Sequence, residues 1–197
     1  MTFLDAPWRL PRCVSSVLVS GPDVEPLTLE QGKLRAGLDW PAGDPRDELM
    51  LDWIAAARSQ VERDTGLALL TQVRDVTFTT LYPGAVVPMP AQAMPVQSVE
   101  PLPAPAGRRP VVFPALAARE VWLLDDWPAE TTGLRVTAGW PDVATLRKEA
   151  PLLLQAVGLL TAHYATLGRD LTTLDSPSVM PMGYEDAIAS YRIVWVT

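Results

Sequence analysis

The stretch that decides the fold is Asp44–Gln72, DPRDELMLDWIAAARSQVERDTGLALLTQ. It carries a helix start, an apolar face and a stop. Asp44 is placed to act as N-cap and Pro45 to occupy the first helical position, where its missing N–H costs nothing. Asp47 and Glu48 set negative charge at the positive end of the helix dipole. Met50, Trp53, Ile54, Ala57 and Val61 recur at helical spacing and form one face. Asp52, Arg58, Ser59, Glu62 and Arg63 are expected largely on the other. Thr65-Gly66 supplies a left-handed stop, and Leu67, Leu69 and Leu70 turn the chain straight back into a core.

Working outward from this helix, Thr28-Leu29-Glu30-Gln31 has the form of a capping box and predicts a short helix over about 29–38. Gly32 and Gly37 weaken that helix by about 1 kcal/mol each relative to Ala, so it needs tertiary support. On the other side the period changes. Gln72–Leu81 is rich in β-branched residues and reads as a strand, as does Val96–Leu102. Val14–Val19, Val111–Phe113 and Val121–Leu124 are shorter candidates. In Leu134–Ala138, Leu134 and Val136 alternate inward against Arg135 and Thr137. A third helix over about 151–167 opens near Ala150-Pro151 and stops at Gly168. It is apolar nearly all round and should be the most buried element. The expected fold is α+β: a mainly helical core of three helices (about 29–38, 45–65 and 151–167), a small antiparallel sheet inserted over about 72–138, and an extended C-terminal tail.

Composition sets the outer limits. The chain has 197 residues, 48% of them hydrophobic, enough for a core in one domain. Many of its 20 prolines sit between Pro83 and Pro114. Apolar residues are interleaved there throughout, so short strands punctuated by proline fit better than a disordered linker. No stretch reaches the roughly 20 apolar residues of a membrane span, and the N-terminus does not read as a secretory signal. A single cysteine, Cys13, cannot form an internal disulfide. The formal charge of −7 argues against nucleic acid gripped by a broad basic surface.

His163, the one histidine, lies in the apolar helix and reads as a core residue. Cys13 has no local partner base. No Cys or His pair offers metal-ligand spacing. Asp125-Asp126 and the Asp44, Asp47 and Glu48 group fit turns and caps better than a calcium loop. No glycine cluster has a phosphate-cradling pattern, and Arg108-Arg109 reads as a solvated turn. No catalytic residue, cofactor or metal ligand is expected. Seven tryptophans, Trp8, Trp40, Trp53, Trp122, Trp127, Trp140 and Trp195, exceed what a core alone explains. Trp and Arg are enriched at interface hot spots, and Trp195 near the C-terminus points to a partner.

Five stretches, in order, resemble the head–tail connector (adaptor) proteins of long-tailed phages and of gene transfer agents. PLTLEQGKLRAGL is similar to the family's opening helix through Pro26, Thr28, Leu29, Lys33, Leu34 and Arg35. IAAARSQVERDTGLALLTQ resembles its signature through Ala57, Arg58, Val61, Glu62, Thr65, Gly66, Ala68, Leu69 and Gln72. LRVTAGWP is similar to a family strand, APLLLQAVGLLTAHYATLGRD to a family helix, and YEDAIASYRI to its closing segment. Leu67 stands where the family often has Arg, the Pro-rich insertion is long, and residues 1–25 exceed the usual short N-terminus.

The resemblance implies a non-enzymatic virion protein. About twelve copies would close a head-to-tail ring below the portal protein, joining head to tail and extending the DNA channel. Double-stranded DNA would pass without sequence-specific binding, and a downstream stopper or tail protein would meet the far side. No membrane is involved; assembly would take place in the host cytoplasm. Residues 1–183 would form a single connector domain and 184–197 a portal-docking tail, with Tyr184, Glu185, Ile188, Tyr191, Arg192 and Trp195 as contacts. Arg58, Glu62 and Arg63 would meet the next subunit. The alternatives are another head-completion or tail-terminator ring component, or a small metal-dependent enzyme using Asp125 or Asp126.

Overall fold

The computed structural model describes residues 11–104, 110–117, 120–124, 127–128, 130–169 and 180–192. The chain divides into two compact units. One is built from the segment up to Gly21 together with Thr71–Gly139. The other is built from Pro22–Leu70 together with the chain from Trp140 on.

The first unit is a β structure. A five-stranded sheet takes the order β1 (Cys13–Ser20), β2 (Gln72–Phe78), β7 (Gly133–Ala138), β4 (Val96–Leu102), β5 (Val111–Ala117). Every neighbouring pair is antiparallel. A two-stranded ribbon pairs β3 (Val86–Pro88) with β6 (Glu120–Trp122). The inward residues of β7 are those expected from alternation: Leu134, Val136 and Ala138 are buried, with Val76, Val96 and Val99 beside them in the core. On the other face Arg135 lies opposite Asp75 of β2 and Glu100 of β4. It donates two bonds of 2.8 Å to the Asp75 carboxylate. The Pro-rich segment contributes short strands and buried Val87, Met89, Ala93 and Met94.

The N-terminal strand is a departure from the inserted-sheet expectation. Residues 13–20 extend the sheet as an edge, pairing with a strand some sixty positions away in the chain, as in Ser16↔Val76. β1 is exposed along almost its whole length, with Val14, Val17, Leu18 and Val19 all open to solvent.

The second unit is helical. Its elements are α1 (Leu29–Arg35), α2 (Arg46–Thr65), α3 (Val143–Glu149), α4 (Pro151–Arg169) and α5 (Tyr184–Ala189). α2 packs against α1, α4 and α5. Its buried face is Met50, Ile54, Ala57 and Val61, and Trp53 is half-buried. α4 supplies Leu153, Ala156, Val157, Leu160 and Thr161 to the same core.

Five described helices replace the three expected. α3 is opened by Asp142, whose carboxylate accepts from the Thr145 N–H. The chain turns by 109° between α3 and α4. α4 runs through Gly168 to Arg169 rather than stopping at the glycine. The capping box is present: Thr28 Oγ1 accepts from Gln31 N–H, and Gln31 Oε1 accepts from Thr28 N–H. α1 ends earlier than expected, because Gly37 adopts a left-handed conformation with φ of 62°. Its tertiary support comes from close packing, since a Cβ at Gly32 would lie 2.9 Å from Ile54 Cδ1. No single described helix is long and apolar enough to cross a membrane.

Candidate interaction surfaces

The two ends of α2 organise the loops of the helical unit. At the start, Asp44 Oδ1 accepts from the Arg46 N–H at 2.9 Å, while Pro45 takes the N-cap position. Asp47 gathers more donors. Its Oδ1 accepts from Trp40 Nε1 at 2.7 Å and forms an ion pair with the buried Lys33 ammonium at 2.7 Å, and its Oδ2 accepts from Gly43 N–H at 2.9 Å. The loop Trp40–Gly43 is thus pinned to the helix and to α1. Arg46 stacks its guanidinium 4.5 Å from the Trp40 ring centroid. The Lys33 ammonium, then the Trp40 indole, hold the Asp47 carboxyl below the ordinary carboxylate range.

At the far end Gly66 takes the left-handed C-cap conformation, with φ of 76°, and its N–H bonds to Glu62 O. Glu62 is only 4% exposed. Its Oε2 accepts from Arg58 Nη1 at 2.8 Å and its Oε1 from the Leu69 N–H at 2.9 Å. Arg58 donates Nε to Glu25 at 2.8 Å. Burial pushes the Glu62 carboxyl up, against the pull of Arg58 and of the Leu69 amide. This corrects the expectation of an outer face shared by Arg58, Glu62 and Arg63. Glu62 faces the turn that follows the helix, and Arg58 joins it to Glu25. Of the three only Arg63 is exposed, bonded to the Gln60 side chain.

The proposed C-terminal contacts divide in the same way. Tyr184 and Ile188 are fully buried. The Tyr184 hydroxyl donates to Asp64 Oδ2 at 2.6 Å, and burial, reinforced by Asp64, raises its pKa strongly. These two residues therefore seat α5 on α4 and α2 instead of lying on a free tail. The reason is the i, i+4 spacing of Tyr184 and Ile188, which puts both on one face of α5. Glu185 and Arg192 are exposed and form an ion pair at 2.5 Å, and Tyr191 is half-buried. Trp195 lies outside the described residues, as do Asp125, Asp126, Arg108, Arg109 and Trp8.

Among the described residues no group of three His, Cys, Asp or Glu side chains could hold a metal ion. His163 is half-buried and stacks obliquely near Tyr164, with ring centroids 6.2 Å apart. Its Nε2 has no hydrogen-bond partner among the described residues. Exposed Cys13 directs its thiol to Ser15 O.

One surface was not anticipated. A groove of about 590 Å³ opens between α1 and α4, lined by Leu27, Leu34, Leu154 and Leu159 with Arg35 and Arg147 among its other walls. Leu34 and Arg35 stand in the stretch that opens the family resemblance. Their exposure, however, follows from which turn of α1 faces α2, and helical spacing alone leaves that open.

The chain matches no protein-family model and no curated protein. Its fold is similar to that of solved chains. One comes from the neck of an empty GTA particle computed with C6 symmetry: TM-score 0.64, 21% identity, 93% of this chain and 98% of that one covered. A chain of the virion of the native gene transfer agent (GTA) particle matches with the same TM-score, identity and coverage. A third, from the neck of the native GTA particle computed with C12 symmetry, has TM-score 0.59 and 23% identity over 92% of this chain and 97% of that one.

Proposed function

We propose that this protein is a structural component of a head–tail junction: an adaptor that assembles as a ring of about twelve copies beneath a portal protein and carries the DNA channel toward the tail. The observation that carries the reading is the fold likeness, which runs over 93% of this chain and 98% of a GTA neck chain. Five ordered sequence stretches with the same family resemblance agree with it. The C12 symmetry of a further neck particle accords with a twelve-fold ring. The acidic balance of −7 suits a conduit. Carboxylates repel phosphate, so DNA passes without being held. In this reading the protein does no chemistry, resides in the virion or virus-like particle, and meets a stopper or tail protein on its far side.

The portal contact falls to exposed Glu185 and Arg192 and half-buried Tyr191, with Trp195 beyond them in sequence. Tyr184 and Ile188 anchor that segment to the helical unit. A chain ending at Ala189 keeps the whole of α5. It should fold as the full chain does and lose attachment to the portal in a pull-down; attachment at full strength would exclude this contact. Electron microscopy of particles made with and without the protein tests the larger reading. A ring at the portal–tail junction that vanishes with the protein is expected, and necks that are the same in both preparations would sink it.

A further inference from the structure

The helical unit carries two surfaces of opposite character. The first is the groove between α1 and α4. Leu27, Leu34, Leu154 and Leu159 share its lining with Gln31 and Gln155, and Leu34 is 81% exposed. Arg35 and Arg147 flank it; both are exposed, and neither makes an ion pair with a described residue. Arg35 is seated. Its side chain lies across α4 at Gly158, where an added Cβ would come within 2.5 Å of Arg35 Cδ. Glycine at that position of α4 makes room for the arginine at the rim of the groove.

The second surface is the outer stripe of the first half of α2. Glu48, Asp52, Ala55 and Ser59 follow one another at helical spacing, on the side opposite the buried Met50, Ile54, Ala57 and Val61. Leu49 and Leu51 border the stripe and are each 45% exposed. Glu48 and Asp52 are exposed as well. The residues of α2 that face α1 and α4 are those of the other side, and no α2 residue lines the groove. The two surfaces are therefore separate and can be occupied together.

The geometry points to a contact between copies of this chain, in which the leucine-bordered acidic stripe of α2 on one copy docks into the arginine-flanked groove between α1 and α4 on the next. Leucine side chains enter the groove, and Glu48 and Asp52 meet Arg35 and Arg147, whose guanidinium groups suit carboxylates. The complementarity is of shape class and sign together. Two exposed arginines flank the groove, and the acidic stripe offers two exposed carboxylates. Because the surfaces differ, the contact is heterologous, the kind that closes rings or runs on as filaments. This contact rests on the ring reading above and assigns its faces. It leaves Arg58 and Glu62 to their internal roles.

Charge reversal tests it in the full-length chain. One variant carries Arg35→Glu with Arg147→Glu, the other Glu48→Arg with Asp52→Arg. All four residues are exposed, and unchanged thermal melts confirm the fold. Native mass spectrometry over a concentration series should show oligomers for the wild type, loss of at least tenfold in association for each variant alone, and recovery when the two variants are mixed. Only the mixture pairs opposite signs at every contact. Gly158→Ala, which unseats Arg35 without changing charge, should weaken association as well. Variants that assemble alone as the wild type does would overturn the contact, and so would a wild-type chain that stays monomeric up to its solubility limit. Particle imaging remains a separate reading: a neck ring built by charge-reversed chains discards this contact and keeps the ring.

Discussion

Asp47 stands in the first turn of α2 and Glu62 in the last, and each ties a loop to the helix. Asp47 holds Trp40 and Gly43 from before the helix, and Glu62 holds Leu69 from after it. Their settings differ. Asp47 accepts from two donors and pairs with the buried Lys33 ammonium, while its own side chain stays 15% exposed. Its charge is favoured, and its carboxyl is held below the ordinary range. Glu62 is sealed by its own loop and shares Arg58 with Glu25. Burial dominates, and its carboxyl is held above the ordinary range. The same residue class thus does the same mechanical work at a small electrostatic cost at one end and a larger one at the other. The lesson concerns desolvation: a buried carboxylate needs every donor it has, whereas an edge carboxylate can turn to water.

Breaking each ion pair from its cationic side should show this most clearly. Arg58→Met strands Glu62 and leaves Glu25 alone, and should lower stability by about 3 to 5 kcal/mol in denaturant unfolding. Lys33→Met should cost visibly less in the same assay, because Asp47 keeps the Trp40 and Gly43 donors. Equal losses would mean that the two ends are equivalent. A neighbour sharpens the contrast. Tyr184→Phe removes one charge-assisted bond to Asp64 beside Glu62 and should cost about 1 to 2 kcal/mol, with α5 still in place by far-UV dichroism. At the loop itself, Gly66→Ala forces a side chain into the left-handed C-cap and should cost about 1 kcal/mol.

The smallest effect is a pair of slopes with pH. Glu62 has a folded pKa raised above its unfolded value of 4.5. Its contribution is whole below 4.5 and is lost as pH rises through the folded value. Asp47 is lowered from 3.8, so its contribution is present above 3.8 and is lost as pH falls through the folded value. Melts taken from below 3.8 to well above 4.5 check both signs. The stability of wild type relative to Glu62→Gln should decline as pH rises, and that relative to Asp47→Asn should decline as pH falls. Parallel slopes would contradict the assignment.

These two ends also show what the chain reveals before it folds. The caps were legible because they are local: Thr28 with Gln31, and Thr65-Gly66, involve residues within a few positions of one another. The α2 core face and the β7 alternation were legible because periodicity alone decides them. The burial of Glu62 was not, because it depends on Glu25 and on the Leu69 amide, brought in by a turn whose path no pattern states. β1 was seen as strand-like, but its pairing with β2 spans some sixty positions. α3 was hidden because seven residues give too few turns for a period to emerge. At the candidate surfaces, Glu185 and Arg192 are exposed. Tyr184 and Ile188 look the same as they do in composition, yet their neighbours make them core. The α1–α4 groove is a property of two helices together and has no signature in either one.

The edge strand β1 carries a further consequence. Its eight residues, CVSSVLVS, hold no charge and no proline, and both faces are open. Most proteins guard such an edge with lysine, proline or a bulge against unwanted stacking. Here the two register irregularities against β2 are the guard the strand has. The chain at high concentration is therefore a perishable stock, liable to zip together edge to edge.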